Sequence, residues 1–162
     1  MKKDLNEYLF DEVIKYLGRY PATKKRIREI LTKKIKSKKT YQRAIIPVGV
    51  DKNKLIEDLV YKLDELKIIN EDRYLDSMFN YYEQSLFSIK KIKNKLYQKG
   101  FDQKNIDEYV SIKLYENPDF ELDILRKYVK RKKLSSLEIS NLKRKLYQQS
   151  FSEGSIYKFI RD

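Results

Sequence analysis

The chain has 162 residues, which is enough for one domain with a hydrophobic core, and 41% hydrophobic residues argue against disorder although 38% are charged. It contains no Cys and no His, which excludes disulfides, thiolate metal sites and the commonest general base. A net charge of +13 favours an anionic partner such as nucleic acid, an acidic protein or an anionic membrane.

Apolar residues recur at spacings of three and four along the whole chain, which predicts helices throughout. The clearest apolar stripe is formed by Leu55, Leu59, Leu63 and Leu66. No segment shows the sustained alternation that is typical of a strand, so the predicted fold class is all-α. In chain order, the predicted helices cover residues 7–17, 23–34, 51–66, 71–82, 88–99, 103–115, 120–130, 136–149 and 154–161.

Several helix ends carry a recognisable terminal residue. Thr23, Ser88 and Asp51 precede predicted helices and are of the residue types that cap a helix N-terminus. Gly100 follows the helix that starts near Ser88, and glycine commonly ends a helix in a left-handed conformation. These residues fix the predicted boundaries of three helices.

The tetrapeptide Lys-Leu-Tyr-Gln occurs twice, fifty residues apart, at Lys95–Gln98 and Lys145–Gln148. Flanking apolar positions match at the same offset, so Ile92, Leu96 and Phe101 correspond to Leu142, Leu146 and Phe151. A more divergent copy lies upstream, and its alignment requires an insertion of about 15 residues near positions 36–49. We therefore predict an elongated, curved array of three tandem three-helix, helix-turn-helix-like repeats over residues 1–69, 70–117 and 118–162, forming one cooperative domain.

Basic residues cluster at equivalent places in the copies. The candidate residues for binding nucleic acid or an acidic protein surface are Lys24, Lys25, Arg26, Arg28, Lys90, Lys91, Lys93, Lys95, Arg131, Lys132, Lys143, Arg144 and Lys145. Such residues neutralise phosphates without reading base sequence. With Ile92 and Leu96 facing inward, we expect Lys91, Lys93 and Lys95 on the solvent side of their helix. The alternative is general lysine enrichment of solvated faces, and the recurrence of the clusters argues against it.

The chain has 14 Tyr and no Trp, which raises the possibility of stacking on nucleic-acid bases. Tyr97 and Tyr147 occupy equivalent positions beside the basic clusters and are the candidates for stacking. Packing between repeats is the alternative role for these two side chains. We expect the tyrosines on or near apolar stripes to fill the core; these are Tyr16, Tyr61, Tyr74, Tyr109 and Tyr128.

One dense acidic group could in principle hold Mg²⁺ for a nuclease; its members are Asp58, Asp64, Glu71, Asp72 and Asp76. They have ordinary helix-surface spacing and alternate with basic residues, so we expect no metal site. The four glycines are scattered singly and form no phosphate-binding loop. We therefore expect no cofactor and no catalytic activity.

Three segments resemble the RecX family of recombination regulators in their order and spacing. They are Arg19–Leu31, Leu66–Leu75 and Lys93–Asp102. The chain departs from the family pattern at Asn70 and Glu71, which replace a pair of aspartates, and at Leu75, which replaces alanine. An insertion after the first basic helix is familiar from only part of the family.

The resemblance implies a cytoplasmic bacterial protein that acts in DNA repair and the SOS response. RecX proteins bind in the deep groove of the RecA–DNA filament and inhibit strand exchange, ATPase and coprotease activity. The implied partners are therefore the RecA filament and single- or double-stranded DNA, contacted through phosphates. The sequence has no apolar run of membrane-spanning length and no secretory signal at its start, so we expect no membrane partner. We also expect a monomer.

Two other functions stay open from the residues alone. The first is a DNA- or RNA-binding helical repeat protein that has no recombinase partner. The second is a nuclease, or an accessory to one, built on the acidic group. The effect of the protein on RecA in the presence of ATP and single-stranded DNA distinguishes the three.

Overall fold

The computed structural model describes all 162 residues, and nearly all regular structure is helical. The all-α prediction is confirmed. The ten helices are α1 (Leu5–Leu17), α2 (Lys24–Ile35), α3 (Lys38–Arg43), α4 (Lys52–Glu65), α5 (Glu71–Gln84), α6 (Ile89–Lys99), α7 (Gln103–Glu116), α8 (Phe120–Lys132), α9 (Ile139–Gln148) and α10 (Glu153–Arg161).

The structure adds three elements to those predicted: α3 and two two-residue strands, β1 (Lys3–Asp4) and β2 (Ala44–Ile45), which pair in parallel. Two of the three, α3 and β2, lie inside the predicted insertion. The expectation that the chain has no strand is thus wrong at this one place. A two-residue strand is too short to show alternation, and its partner lies some forty residues away, so no local pattern could reveal it.

The predicted helix caps are confirmed. Thr23 Oγ1 accepts a hydrogen bond from Arg26 N at 3.2 Å, and Ser88 Oγ accepts one from Lys91 N at 3.2 Å. Asp51 caps α4 in the same manner. Gly100 ends α6 with φ of 103°, which an L side chain rarely adopts. Helix α9 begins three residues later than predicted, after Glu138, whose side chain makes no capping hydrogen bond.

The helices form two compact units, Met1–Tyr74 and Leu75–Asp162, and the boundary between them falls inside α5. In the first unit, α1, α2 and α4 pack around a core that includes Leu9, Ile27 and Leu63, all fully buried. The predicted stripe of α4 ends early, because Leu66 follows the helix and is exposed.

The second unit buries the six matched Ile, Leu and Phe residues of the two Lys-Leu-Tyr-Gln copies. These are Ile92, Leu96, Phe101, Leu142, Leu146 and Phe151, each at most 7% exposed. Helices α8, α9 and α10 enclose a cluster that contains Leu125, Leu146 and Phe151. The matched residues therefore have matched burial, while the division into three repeats stays a prediction.

The tyrosines expected in the core divide into two groups. Tyr16, Tyr74, Tyr109 and Tyr128 are half-buried. Tyr61 is a wrong prediction, because its side chain is 65% exposed and its hydroxyl donates to Glu65 on the surface of α4. It lies next to Val60, but on a helix adjacent residues point about 100° apart, so Tyr61 leaves the buried face.

Candidate nucleic-acid interface

The basic residues of α2 lie among acidic partners. Three of the four candidate residues form ion pairs, and Lys25 is exposed. The pairs are Lys24–Asp64 (2.8 Å), Arg26–Glu29 (3.1 Å) and Arg28–Glu57 (2.8 Å). Because each pair cancels charge locally, α2 offers less free positive charge than its sequence suggests.

The lysines of α6 are more buried than expected. Lys91, Lys93 and Lys95 are half-buried, so the prediction that they cover the solvent side is wrong. Lys91 Nζ lies 4.2 Å above the Phe87 ring, and Lys93 Nζ donates to Asp107 at 3.0 Å and lowers the pKa of that carboxyl. Long lysine stems cover apolar surface while the ammonium stays wet, which explains their burial.

Helix α9 carries the most accessible positive charge among the predicted sites. Lys143, Arg144 and Lys145 are exposed and form no ion pair, while Leu142 and Leu146 of the same helix are buried. We call these three side chains the α9 basic face. Lys143 differs in this from Arg28 of α2 and Lys93 of α6, which occupy the equivalent position and pair with Glu57 and Asp107.

The end of α8 adds two further candidate residues to the second unit. Arg131 and Lys132 are exposed, and neither forms an ion pair. Arg131 donates to the carbonyl oxygen of Gln84 at 3.5 Å. The last turn of α8 contains three basic residues, and positive charge stabilises the negative end of a helix dipole. Helix stability therefore explains part of this cluster without any binding partner.

A cleft of about 710 Å³ in the second unit brings predicted residues of α6 and α9 together. Lys90 and Lys93 lie on its α6 side and Tyr147 on its α9 side. We call it the α6–α9 cleft. Its other walls are partly apolar, with Ile89, Leu114, Leu122 and Phe151, and partly polar, with Asp119, Glu121, Lys158 and three serines. The sequence predicted the basic and aromatic residues but not that they share one cavity.

The two stacking candidates are both about half exposed, with Tyr97 at 54% and Tyr147 at 48%. Tyr147 lines the α6–α9 cleft together with Lys90 and Lys93, and a groove that combines aromatic and basic side chains suits base stacking. Tyr97 is not among the residues of that cleft. Of the two, Tyr147 has the better position for stacking.

A buried carboxylate holds the helix ends that frame the cleft. Glu121, in the first turn of α8, is 6% exposed. Its Oε2 accepts from Ile89 N at 3.0 Å and its Oε1 from Ser152 N at 2.8 Å. One side chain therefore caps the N-termini of both α6 and α10, where negative charge is favoured.

The same contact occurs in the first unit, fifty residues earlier. Glu71, at the start of α5, accepts from Lys24 N at 2.5 Å and so caps α2. Asn70 caps α5 itself by accepting from Arg73 N at 3.1 Å. The two residues that replace the aspartate pair of the RecX pattern are therefore both used as helix caps. Sequence reasoning missed this role, although the fifty-residue offset between Glu71 and Glu121 was a signal for it.

The acidic residues do not form a metal site. No group of three or more carboxylate, His or Cys side chains is arranged to hold a metal ion. Asp64 accepts a hydrogen bond from Lys24 Nζ, and Glu71 accepts one from Lys24 N. Asp76 accepts a hydrogen bond from the Tyr109 hydroxyl. Burial and that bond raise the pKa of Tyr109.

No helix is both long enough and apolar enough to span a bilayer.

Comparison with known proteins identifies the fold. No protein-family model and no curated protein matches the sequence. Among solved structures, the chain superposes on one described as "Crystal structure of regulatory protein RecX" with a TM-score of 0.70. The chain has a RecX-like fold. The match covers 98% of this chain and 72% of the other, at 17% sequence identity.

Proposed function

We propose that this protein regulates a RecA-type recombinase by binding its nucleoprotein filament, without catalysing a reaction. The RecX-like fold over 98% of the chain supports this function. The observation that carries the proposed binding mode is the α9 basic face, where Lys143, Arg144 and Lys145 are exposed and lack acidic partners. Unneutralised cations on an ordered helix suit the phosphates and acidic side chains that a filament groove presents together.

The α6–α9 cleft suits a single strand better than a duplex. A base that is not paired can enter a cavity of about 710 Å³ and stack on Tyr147, with its phosphates near Lys90. A duplex keeps its bases stacked inside and offers only its phosphates to the α9 basic face. Single strands therefore gain a contact that duplexes lack, and occupancy of the filament would block strand exchange, ATPase and coprotease activity.

The decisive experiment adds the protein to RecA, ATP and single-stranded DNA and measures ATP hydrolysis. Lys143→Glu combined with Arg144→Glu should reduce inhibition strongly, because each change removes an attraction and adds a repulsion. Both side chains face solvent, so stability should change by only about 0.5 kcal/mol. Full inhibition by this variant would contradict the proposed interface.

A matched control reverses charge on α4. Asp58→Lys combined with Glu65→Lys changes two exposed residues and should inhibit at least as well as the original protein. Loss of inhibition in this control would make α4 the working surface. If DNA binds while RecA activity is unaffected, the protein is a DNA-binding repeat protein without a recombinase partner.

Salt dependence measures how many phosphates are contacted. Engagement of six phosphates would give a slope of log K against log salt of about −4 to −5. A slope near zero would assign the basic residues to solubility. Tight, sequence-specific binding at high salt would favour a base-reading protein over a filament regulator.

A further inference from the structure

A segment of the first unit combines strong positive charge with an ordered backbone. No Asp or Glu occurs between Glu29 and Asp51, while six Lys and Arg do. We call residues 33–50 the basic insertion. Of its cations only Lys34 forms an ion pair, with Glu12 at 2.9 Å. The others are exposed and without an acidic partner; they are Lys33, Lys36, Lys38, Lys39 and Arg43.

The insertion is held in one conformation by specific contacts. Thr40 is 1% exposed, and its hydroxyl donates to the Lys34 carbonyl at 2.6 Å. Ser37 caps α3 through Thr40 N at 3.3 Å. The end of α3 leads directly into β2, which pairs with β1 near the start of the chain. The exposed cations therefore stand on a backbone of fixed geometry.

Lys33 and Arg43 lie in the last turns of α2 and α3, where positive charge is favoured, but local stability does not account for Lys38 and Lys39. Lys38 and Lys39 lie in the first turn of α3, and no acidic residue accompanies them there. The N-terminus of a helix favours negative charge, so two lysines at this place are electrostatically unfavourable within the chain. At α2 the equivalent disadvantage is offset by the Glu71 carboxylate, and α3 has no such contact.

The insertion also presents an aromatic ring among positive charges. Tyr41 is 47% exposed. Lys2 Nζ donates to its carbonyl oxygen at 3.0 Å, and Lys52 Nζ donates to its hydroxyl at 3.4 Å. Two lysines from outside the insertion thus add to its positive charge.

We propose that the basic insertion is a second DNA-contacting surface, which binds backbone phosphates without reading base sequence and is separate from the α9 basic face. Phosphates are spaced regularly along DNA, so a fixed set of cations can contact several of them at once. Binding to an anionic lipid surface is less suitable, because α3 has six residues and lacks the apolar face that inserts into a bilayer. The proposal concerns DNA alone and does not depend on any recombinase.

The test measures affinity for a 30-base-pair duplex over a range of salt concentrations, in the absence of RecA. One variant neutralises four exposed cations of the insertion: Lys33→Gln, Lys36→Gln, Lys38→Gln and Lys39→Gln. Each lost phosphate contact should reduce the salt slope by about 0.9, so loss of two to four contacts should reduce it by about 2 to 4.

A matched control removes the same number of charges from exposed positions of the first unit outside the insertion. It combines Arg19→Gln, Lys54→Gln, Lys67→Gln and Arg73→Gln, none of which forms an ion pair. The control should leave the slope nearly unchanged, because its four positions lie outside the proposed DNA-contacting surface. Both variants have the same net charge, so a difference between their slopes reports the location of the lost charges. Equal slopes in both variants would overturn the proposal.

Two further measurements complete the test. Circular dichroism should show equal helix content in both variants, and Lys38→Gln with Lys39→Gln alone serves if the fourfold change disturbs α2. This smaller variant should still reduce the slope by about 1 to 2. If the insertion variant keeps its DNA slope and instead loses binding to phosphatidylserine vesicles, the surface is a lipid-binding one and the proposal is wrong. The recombinase assay is independent of all these results.

Discussion

Replacement of Glu121 by Ala should destabilise the second unit more than the substitution of any other buried polar side chain in that unit. The carboxylate is 6% exposed and accepts hydrogen bonds from Ile89 N and Ser152 N. Its removal leaves Ile89 N and Ser152 N without their acceptor, while the side chains of Ser88 and Ser152 still cap α6 and α10. Water can reach part of this region because Ser152 is exposed, which reduces the loss.

The expected magnitude follows from the number of bonds. A hydrogen bond to a charged group contributes about 1.5–3 kcal/mol, so Glu121→Ala should cost about 3–5 kcal/mol after partial replacement by water. Glu121→Gln should cost about half as much, since its amide oxygen can accept from one N–H while its NH₂ group cannot accept from the other. Glu71→Ala removes one bond and should cost about 1.5–3 kcal/mol.

Urea unfolding followed by circular dichroism measures these changes. Glu108→Ala is the control, because Glu108 is an exposed residue of α7 whose side chain forms no hydrogen bond or ion pair. If the two units unfold in separate transitions, Glu121→Ala should shift one and Glu71→Ala the other. A cost below about 1 kcal/mol for Glu121→Ala, close to that of the control, would refute the capping role.

Three other changes test the packing, the backbone and the electrostatics. Leu146→Ala should cost about 2–5 kcal/mol in urea unfolding, because the side chain is fully buried. Ser150 has φ of 65° where the equivalent Gly100 has 103°, so Ser150→Gly should stabilise by about 0.5–1 kcal/mol, and a loss of stability would contradict this. Lys34 lowers the pKa of Glu12, so this carboxylate stabilises the fold above its unfolded pKa near 4.5 and loses that contribution as the pH falls below it. Acid unfolding between about pH 5 and 3 should therefore be less steep in Glu12→Gln than in the original protein.

The sequence alone determined the helices and most of their ends. Spacings of three and four residues reflect the helical period, and caps such as Thr23, Ser88 and Gly100 act within one turn, so both signals are local. The matched burial of Leu96 and Leu146 also follows from the sequence. The same pattern of apolar residues recurs at a fixed offset, so corresponding side chains are expected in similar environments.

Only the tertiary structure decided which cations are free and where they meet. Arg28 and Lys143 are equally basic in sequence, but Glu57 neutralises Arg28 from a helix 29 residues away, while Lys143 has no such neighbour. The α6–α9 cleft and the two bonds of Glu121 likewise join residues about thirty or more positions apart. Ion pairs and cavities depend on distances between side chains in the folded protein, and the spacing of residues along the sequence does not give these distances.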